Sequence, residues 1–377
     1  MPSRRHVLAL LSASPFLAAG ACAPVDQADY AAAWRAPGAG EADPRRFALA
    51  HAILAPNPHN RQPWLVALEG ESEISFWPDL TRLLPATDPD NRQITVGCGA
   101  FLELLDLAAR EKGYRADITL WPDGEPGLAL NAGRVAHIRL VRDAGVAKDA
   151  LFGAIVRRRT NREPFEVKRI PDTALLEATI SSAIGMQTGF AVAPDRVAAL
   201  RDIVWRGWVR EAATPAAMGE SADLTRIGRA EIARYRDGIS LEGPFIEVMK
   251  ATGLLTREAL LDPNSIASKQ GAEIWHKMAE TAPSFIWLKG ADNSRVTQIA
   301  AGRAYARMNL TATSVGLAMH PWSMALQEYP EMADLYAEQQ SMLGGVANAP
   351  VQMLARIGYA RDVDPAPRRG LDEHLKE

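Results

Sequence analysis

Two long apolar segments at matching places in the two halves of this chain constrain its fold more than any other feature. ITVGCGAFLELLDLAAREKGY repeats apolar residues at intervals of three and four, and Gly113 falls where a helix would end. AAGRAYARMNLTATSVGL does the same later and ends at Gly316. Gly99 to Gly113 and Gly302 to Gly316 have the same spacing, and within them Leu107 aligns with Leu310 and Ala109 with Ala312. Two readings fit. One is a duplicated unit whose small residues let each helix pack closely on its counterpart across a pseudo-twofold axis. The other is a pair of unrelated amphipathic helices with terminal glycines.

The order of the other elements favours duplication. A helix from about Pro44 to Leu54 is stopped by Pro56 and Pro58. WLVALEG and SEISFWP read as paired strands, and DITLWP and HIRLVR as two more. In the second half ALFGAIVRRR reads as a helix and APSFIWLKG as an apolar strand ahead of the second long helix. A stretch between Val204 and Ala282 has no counterpart in the first half and carries Trp205, Trp208 and Trp275. It is too apolar to be disordered, and reads either as a lid or as a helical excursion that completes the core.

The 377 residues, 47% hydrophobic and 23% charged, are ample for two domain-sized units, and a net charge of −3 gives no reason to expect nucleic acid. Two cysteines without a C-x-x-C pair argue against a disulfide framework and a structural zinc site. Cys98, on an apolar helix face, reads as core.

The first residues, MPSRRHVLALLSASPFLAAGACAP, read as an export signal. Arg4 and Arg5 form the charged region, Val7 to Ala19 the apolar region, and Ala19-Gly20-Ala21 the cleavage site. The arginine pair after Ser3 resembles a twin-arginine signal, departing from it at Val7 and Ala9. Cys22 resembles a lipoprotein acceptor, departing from that pattern at Ala19, so a free and a lipidated Cys22 both stay open. The expected organisation is a signal peptide over 1–21, a tether over 22–43, a first unit over 44–142 and a second over 146–377 with an insertion at 204–282. The expected location is outside the cytoplasmic membrane, periplasmic or anchored to its outer side.

Three stretches could carry chemistry. ILAPNPHNRQPWLV ends a helix at two prolines and crowds Asn57, His59, Asn60, Arg61 and Gln62 into one loop. RRRTNR sets four arginines around Thr160 and Asn161, and PAPRRGLDEHL adds Arg368 and Arg369. Guanidinium forks suit a phosphate monoester, although a solvated basic helix end has the same composition. GLAMHPWSMALQEYP suggests backbone approaching a flat ligand, or a buried turn between helices. His59 and His320 show no carboxylate or serine partner at a readable spacing. Neither G-x-G-x-x-G nor G-x-x-x-x-G-K occurs.

Together these motifs resemble the nitroreductase superfamily, and within it the fused, double-length branch of Acg-type FMN-binding proteins. The resemblance runs from about Pro44 to Leu375. APNPHNRQPW resembles the family's A-P-S-S-x-N-x-Q-P-W loop, and RRRTNREPF its R-x-S-x-R phosphate motif. GLAMHPW resembles the segment passing flavin N5, and IGYARDVDPAPRRGL the terminal strand and basic clamp.

The resemblance implies an α+β nitroreductase-like fold, with two tandem repeats forming an intramolecular pseudo-dimer, a lid-like insertion, and one FMN site in a monomer. It implies that Arg158, Thr160, Arg368 and Arg369 hold the phosphate. Arg162 would sit at the pyrimidine edge, where it could stabilise the reduced flavin. Pro56, Asn57, Pro58 and Asn60 would line the ring, and Trp322, Ser323 and Met324 would pass its N5 edge. The implied activity is reduction of a small electron-poor acceptor with a nicotinamide donor, NAD(P)H. A flavin store with a covered site and an envelope-tethered binding module with an empty one are the alternatives. Pro58 replaces the family's second serine, and Ser323-Met324 its acidic-glycine pair.

Overall fold

The computed structural model describes residues 29–376. The expected signal peptide and Cys22 lie outside these residues. The first repeat contains α1 (Pro44–Ala52), β1 (Trp64–Glu69), β2 (Glu73–Pro78), α2 (Arg92–Glu111), β3 (Tyr114–Leu120) and β4 (Ala136–Arg142). The second repeat opens with α3 (Thr173–Ser181) and β5 (Gln187–Ala191). The inserted segment follows: α4 (Pro194–Ala213), α5 (Pro215–Asp223), β6 (Thr225–Ile227), α6 (Gly228–Tyr235), β7 (Ile239–Leu241), α7 (Pro244–Ala251), α8 (Arg257–Leu261) and α9 (Ile266–Glu280). The repeat resumes with β8 (Ser284–Lys289), α10 (Arg295–Ser314), β9 (Ala318–Pro321), α11 (Ala333–Leu343) and β10 (Val351–Gly358).

The two four-stranded antiparallel sheets have the same topology. Their orders are β1-β2-β4-β3 and β5-β8-β10-β9. Each position in one sheet is filled by the corresponding strand of the other repeat, so this is a duplicated unit. The insertion separates β5 from β8 and thus begins earlier than the expected Val204. ALFGAIVR is a 3-10 helix, and the counterpart of α1 is α3.

The duplication closes on itself through α2 and α10. A Cβ built on Gly99 would lie 2.1 Å from the Ile299 carbonyl oxygen, and one on Gly302 would lie 1.9 Å from that of Val96. Each glycine therefore meets the backbone three residues before its counterpart, which is the reciprocal contact of a twofold interface. Only the absence of side chains allows this approach. Gly113 and Gly316 follow the two helices with φ of +78° and +74°, the left-handed geometry of a helix end. The first residues of the two helices match as well. Arg92 donates to the carbonyls of Leu326 and Gln352, and Arg295 to those of Asp90 and Gly127, so each crosses to the other repeat.

A polar seam accompanies the glycine contact. Arg303 donates to Glu103 and Asp106 at 2.7 and 2.8 Å, and Arg307 to Glu103 and Asp149 at 2.8 and 2.9 Å. The end of the second repeat crosses back to the first sheet. Leu375 bridges Val66 in parallel, and Lys376 N–H donates to the Val66 carbonyl.

The expected tether is packed chain from Asp29 onward. Trp34 is buried and its Nε1–H donates to the Ala366 carbonyl at 2.8 Å, while the Tyr30 hydroxyl donates to Glu242. Cys98 is buried, and its thiol pKa is pushed up to about 12 by that burial.

Candidate functional site

The loop between α1 and β1 is held by its own side chains. Asn57 Nδ2 donates to the Ala55 carbonyl, and its Oδ1 accepts Gln62 N–H at 2.7 Å. Asn60 Nδ2 donates to the Pro367 carbonyl, and its Oδ1 accepts from Arg368. These bonds permit a left-handed backbone at His59, Asn60 and Gln62, with φ of 46°, 51° and 50°. Such conformations in non-glycine residues cost about 1–3 kcal/mol each and persist only where surrounding contacts impose them. The amides expected to face a ligand thus shape the loop instead. Pro58 begins the short 3-10 turn there, and both Asn57 and Pro58 rest on α2 at Gly97, where a Cβ would lie 3.3 Å from each. Pro56 is buried beneath.

The structure divides the expected phosphate residues. Arg158, Arg159 and Arg368 surround the Trp34 ring, with guanidinium carbons 5.4, 5.0 and 5.1 Å from its centre. Arg368 uses all five of its N–H donors on protein oxygens: the carbonyls of Ile53, Leu54, Ala55 and Pro367, and Asn60 Oδ1. It struts the C-terminal end of α1, where the sequence suggests a phosphate ligand. Arg369 turns the other way, donating to the Gln62 carbonyl and His374 Nδ1 beside Asp79 and Asp237. It therefore does not join Arg158. Arg158 donates to the Leu54 carbonyl at 3.0 Å and Asn309 Oδ1 at 3.3 Å, and its buried Nε–H has no partner among the described residues. Thr160, two residues on, is half-buried at the exit of the same turn.

Arg162 stands apart from these. It makes no hydrogen bond or ion pair among the described residues, and its side chain is exposed. Yet desolvation by the surrounding protein lowers its pKa. The side chain thus combines solvent exposure with crowded surroundings. Arg162 acts electrostatically on Tyr305, His59, His320 and Arg356, which places it between the repeats. The Tyr305 hydroxyl is buried without a partner among the described residues, and burial raises its pKa.

No described carboxylate pairs within 4 Å of Arg158, Arg159, Arg162, Arg356 or Arg368. Burial lowers the pKa of all five, Arg158 to about 10 and Arg356 to about 9. Uncompensated charge in a low-dielectric site is costly, and an anion is the natural counter-charge.

The segment after α10 is more deeply placed than its sequence suggested. Trp322 is wholly buried, and its Nε1–H donates to the Val204 carbonyl, so it is a core strut beneath the site. Ser323 and Met324 are half-buried, and neither backbone N–H finds an acceptor among the described residues. Ser323 Oγ–H donates to Gln93 at the start of α2. His320 Nδ1 accepts from Arg356 Nε at 3.0 Å, so the ring is neutral with its proton on Nε2.

Partners of His59 invisible in the sequence come from the insertion. His59 Nε2 lies 3.3 Å from Ser221 Oγ, which lies 3.2 Å from Glu211 Oε1, and Gln327 Nε2 donates to Glu211 Oε2 at 2.7 Å. The insertion also clasps the loop through Gly238 N–H to the Asn60 carbonyl and Gln62 Nε2 to the Arg236 carbonyl. Desolvation lowers the His59 pKa to about 4, with Arg162 and Arg61 adding to the effect.

Desolvation raises the Glu211 pKa to about 7 against the hydrogen bonds from Gln327 and Ser221. The folded state therefore binds this proton more tightly than the unfolded chain does. Its stabilising effect is complete below the ordinary carboxylate range and is lost as pH rises through 7. At ~1.4 kcal/mol per unit, the loss is on the order of 3 kcal/mol. Glu211→Gln should exceed the natural protein in stability at pH 8 and match it at pH 5. Urea unfolding at both pH values checks this, and equal offsets at the two would refute it.

No family model matches the chain. The chain resembles proteins named as nitroreductases. A Mycobacterium tuberculosis protein named "Putative NAD(P)H nitroreductase" is 29% identical over 348 residues, 88% of this chain and 91% of that protein. A second from the same organism, named "Putative NAD(P)H nitroreductase acg", is 29% identical over 143 residues, 38% of this chain and 41% of its own length. An uncharacterised protein from that organism is 36% identical over 118 residues, 30% of this chain and 33% of its own. Among solved structures, the FMN- and NADPH-dependent nitroreductase NfnB of a Sphigopyxis strain is 19% identical. That match covers 60% of this chain and 97% of NfnB at a TM-score of 0.37.

Proposed function

We propose that this chain is an FMN-binding oxidoreductase of nitroreductase type. It would take electrons from NAD(P)H and pass them to a small electron-poor acceptor. The observation that carries the reading is the arginine cluster between the repeats, which has no carboxylate partner among the described residues and is flanked by polar atoms of Arg158, Tyr305 and His59 that find no partner among them. A flavin mononucleotide fits this donor set, with a dianionic phosphate at one end and a ring edge that becomes electron-rich at the other. The names of the relatives support the same chemistry.

Arg158, with its free Nε–H, Arg159 and Thr160 would hold the phosphate. Arg162 would meet the pyrimidine edge and favour negative charge there. The loop from Pro56 to Asn60 would form one wall, and the free N–H groups of Ser323 and Met324 would face the ring's reactive edge. FMN, when bound, supplies a two-electron store that exchanges hydride with donor and acceptor. The chain's part is to bind, orient and exclude water. We also propose that the protein acts outside the cytoplasmic membrane as a monomer, in line with the signal expected from the sequence and with the internal twofold.

The deciding experiment is a visible spectrum of the purified chain from residue 23 onward, with identification of any pigment released on denaturation. FMN in near-equal amount supports the proposal, whereas a colourless protein that takes up no added FMN overturns it. The insertion's clasp on the loop favours a flavin store as second reading. Reduction by NADPH followed by reoxidation with a quinone separates catalyst from store.

A further inference from the structure

We propose that the inserted segment supplies a proton relay, Glu211–Ser221–His59, that ends at the unpartnered Nδ1 of His59 and protonates the acceptor bound beside Arg162. This rests on the function proposed above and adds a step to it. Glu211 and Ser221 stand on the consecutive helices α4 and α5 of the insertion, His59 comes from the distant loop after α1, and the three meet in one line. Ser221 Oγ, 3.2 Å from Glu211 Oε1 and 3.3 Å from His59 Nε2, can accept on one side while donating on the other. Gln327 donates to Glu211 Oε2, which leaves Oε1, facing Ser221, as the place for a proton. At the other end, His59 Nδ1 is buried with no partner among the described residues. A left-handed backbone at φ 46° holds that ring in place, and such strain gathers where a side chain must be aimed.

The surrounding charges set the direction of transfer. Arg162 and Arg61 face His59 and disfavour an imidazolium, so the ring passes a proton without keeping it. Glu220 faces Glu211 and disfavours its carboxylate, while Tyr329 and Gln327 complete its surroundings. Glu211 thus keeps its proton near neutrality.

The transfer balances. A quinone takes a hydride, originally from the nicotinamide donor, and becomes a hydroquinone anion. Its oxygen takes the proton from His59 Nδ1, Nε2 takes the Ser221 proton, and Ser221 Oγ takes the proton of Glu211. Glu211 is left as carboxylate and His59 as the other neutral tautomer; the product is the neutral hydroquinone. After the product leaves, a proton from water enters at His59 Nδ1 and passes back through Nε2 and Ser221 to Glu211, which restores the carboxyl and the first tautomer together.

The test compares the natural protein with Glu211→Gln, Ser221→Ala and Ser221→Thr, each loaded with FMN and reduced by dithionite. Reoxidation by p-benzoquinone needs a proton, whereas ferricyanide takes electrons alone. Glu211→Gln and Ser221→Ala should slow the quinone reaction about 100-fold, leave the ferricyanide rate unchanged, and abolish its decline above pH 7. Ser221→Thr, which keeps the hydroxyl, should retain most of the rate.

An infrared pH titration of the flavin-free protein gives a second readout. A protonated-carboxyl band should fade around pH 7 and be missing in Glu211→Gln. Equal slowing with both oxidants, no slowing with quinone, or no such band would overturn the relay while leaving the FMN assignment intact. Failure of the natural protein to bind FMN would overturn the assignment itself and the relay with it.

Discussion

Replacing Arg158 with methionine is expected to cost most of the affinity for FMN and almost none of the stability of the flavin-free protein. The guanidinium is buried and no described carboxylate pairs with it, so in the free protein it is a charge held out of water without a counter-charge. Its two protein bonds are replaceable. The Leu54 carbonyl still receives Arg368 Nη2, at 3.3 Å, and Asn309 loses a long contact of the same length. A methionine fills much of the same volume without the charge. Hydrogen bonds to a charged group contribute roughly 1.5–3 kcal/mol. Losing those to the phosphate should weaken binding by about 10- to 150-fold, while unfolding of the free protein shifts by less than about 1 kcal/mol or moves upward. Flavin-fluorescence titration and urea unfolding of the flavin-free protein read the two effects separately. A variant that binds FMN as tightly as the natural protein would place the phosphate elsewhere.

The second large effect is at the helix crossing. Gly302→Ala puts a methyl group 1.9 Å from the Val96 carbonyl oxygen, and Gly99→Ala puts one 2.1 Å from that of Ile299. Both obstacles are backbone, so α2 and α10 must move apart along the whole contact and the seam of Arg303, Arg307, Glu103 and Asp106 must stretch with them. Each substitution should cost about 3 kcal/mol or more, at the upper end of overpacking effects. Gly113→Ala is the control. It has nothing within 4 Å and suffers only from its φ of +78°, at about 1–2 kcal/mol. Comparable losses at all three positions would show that the close crossing does not hold the repeats together. Thermal unfolding of the three variants decides the matter.

Much of the scaffold was legible because it depends on local chemistry. Apolar periodicity located α2 and α10, the glycines at both helix ends marked where they stop, and alternating apolar residues marked the strands of the first sheet. The prolines at 56 and 58 announced the loop. The internal repeat could be suspected from spacing alone, but only the equal strand orders established it. ALFGAIVR misled because its composition suits a helix in either repeat, and the counterpart of α1 was the less conspicuous α3. The segment from Asp29 to Asp43 read as a tether because alanine, glycine and proline suggest one; Trp34 was the signal that it packs.

The division at the candidate site has a clear cause. Sequence alone determined which side chains were available: a basic run at 157–162, an arginine pair at 368–369, and a proline-rich polar loop. Tertiary structure decided what each is free to do. Arg368 and Arg369 are neighbours in the chain but bind different partners, one the end of α1 and the other Gln62 and His374. Arg368 meets the open carbonyls at the end of α1 and is fully occupied there, while Arg162, four residues beyond Arg158, is left unpaired among the described residues. His59 looked solitary because its partners, Ser221 and Glu211, lie more than 150 residues away in the chain. Spacing reports neighbours along one helix or strand; contacts between an insertion and a loop are set by packing of the whole, and no local pattern encodes them.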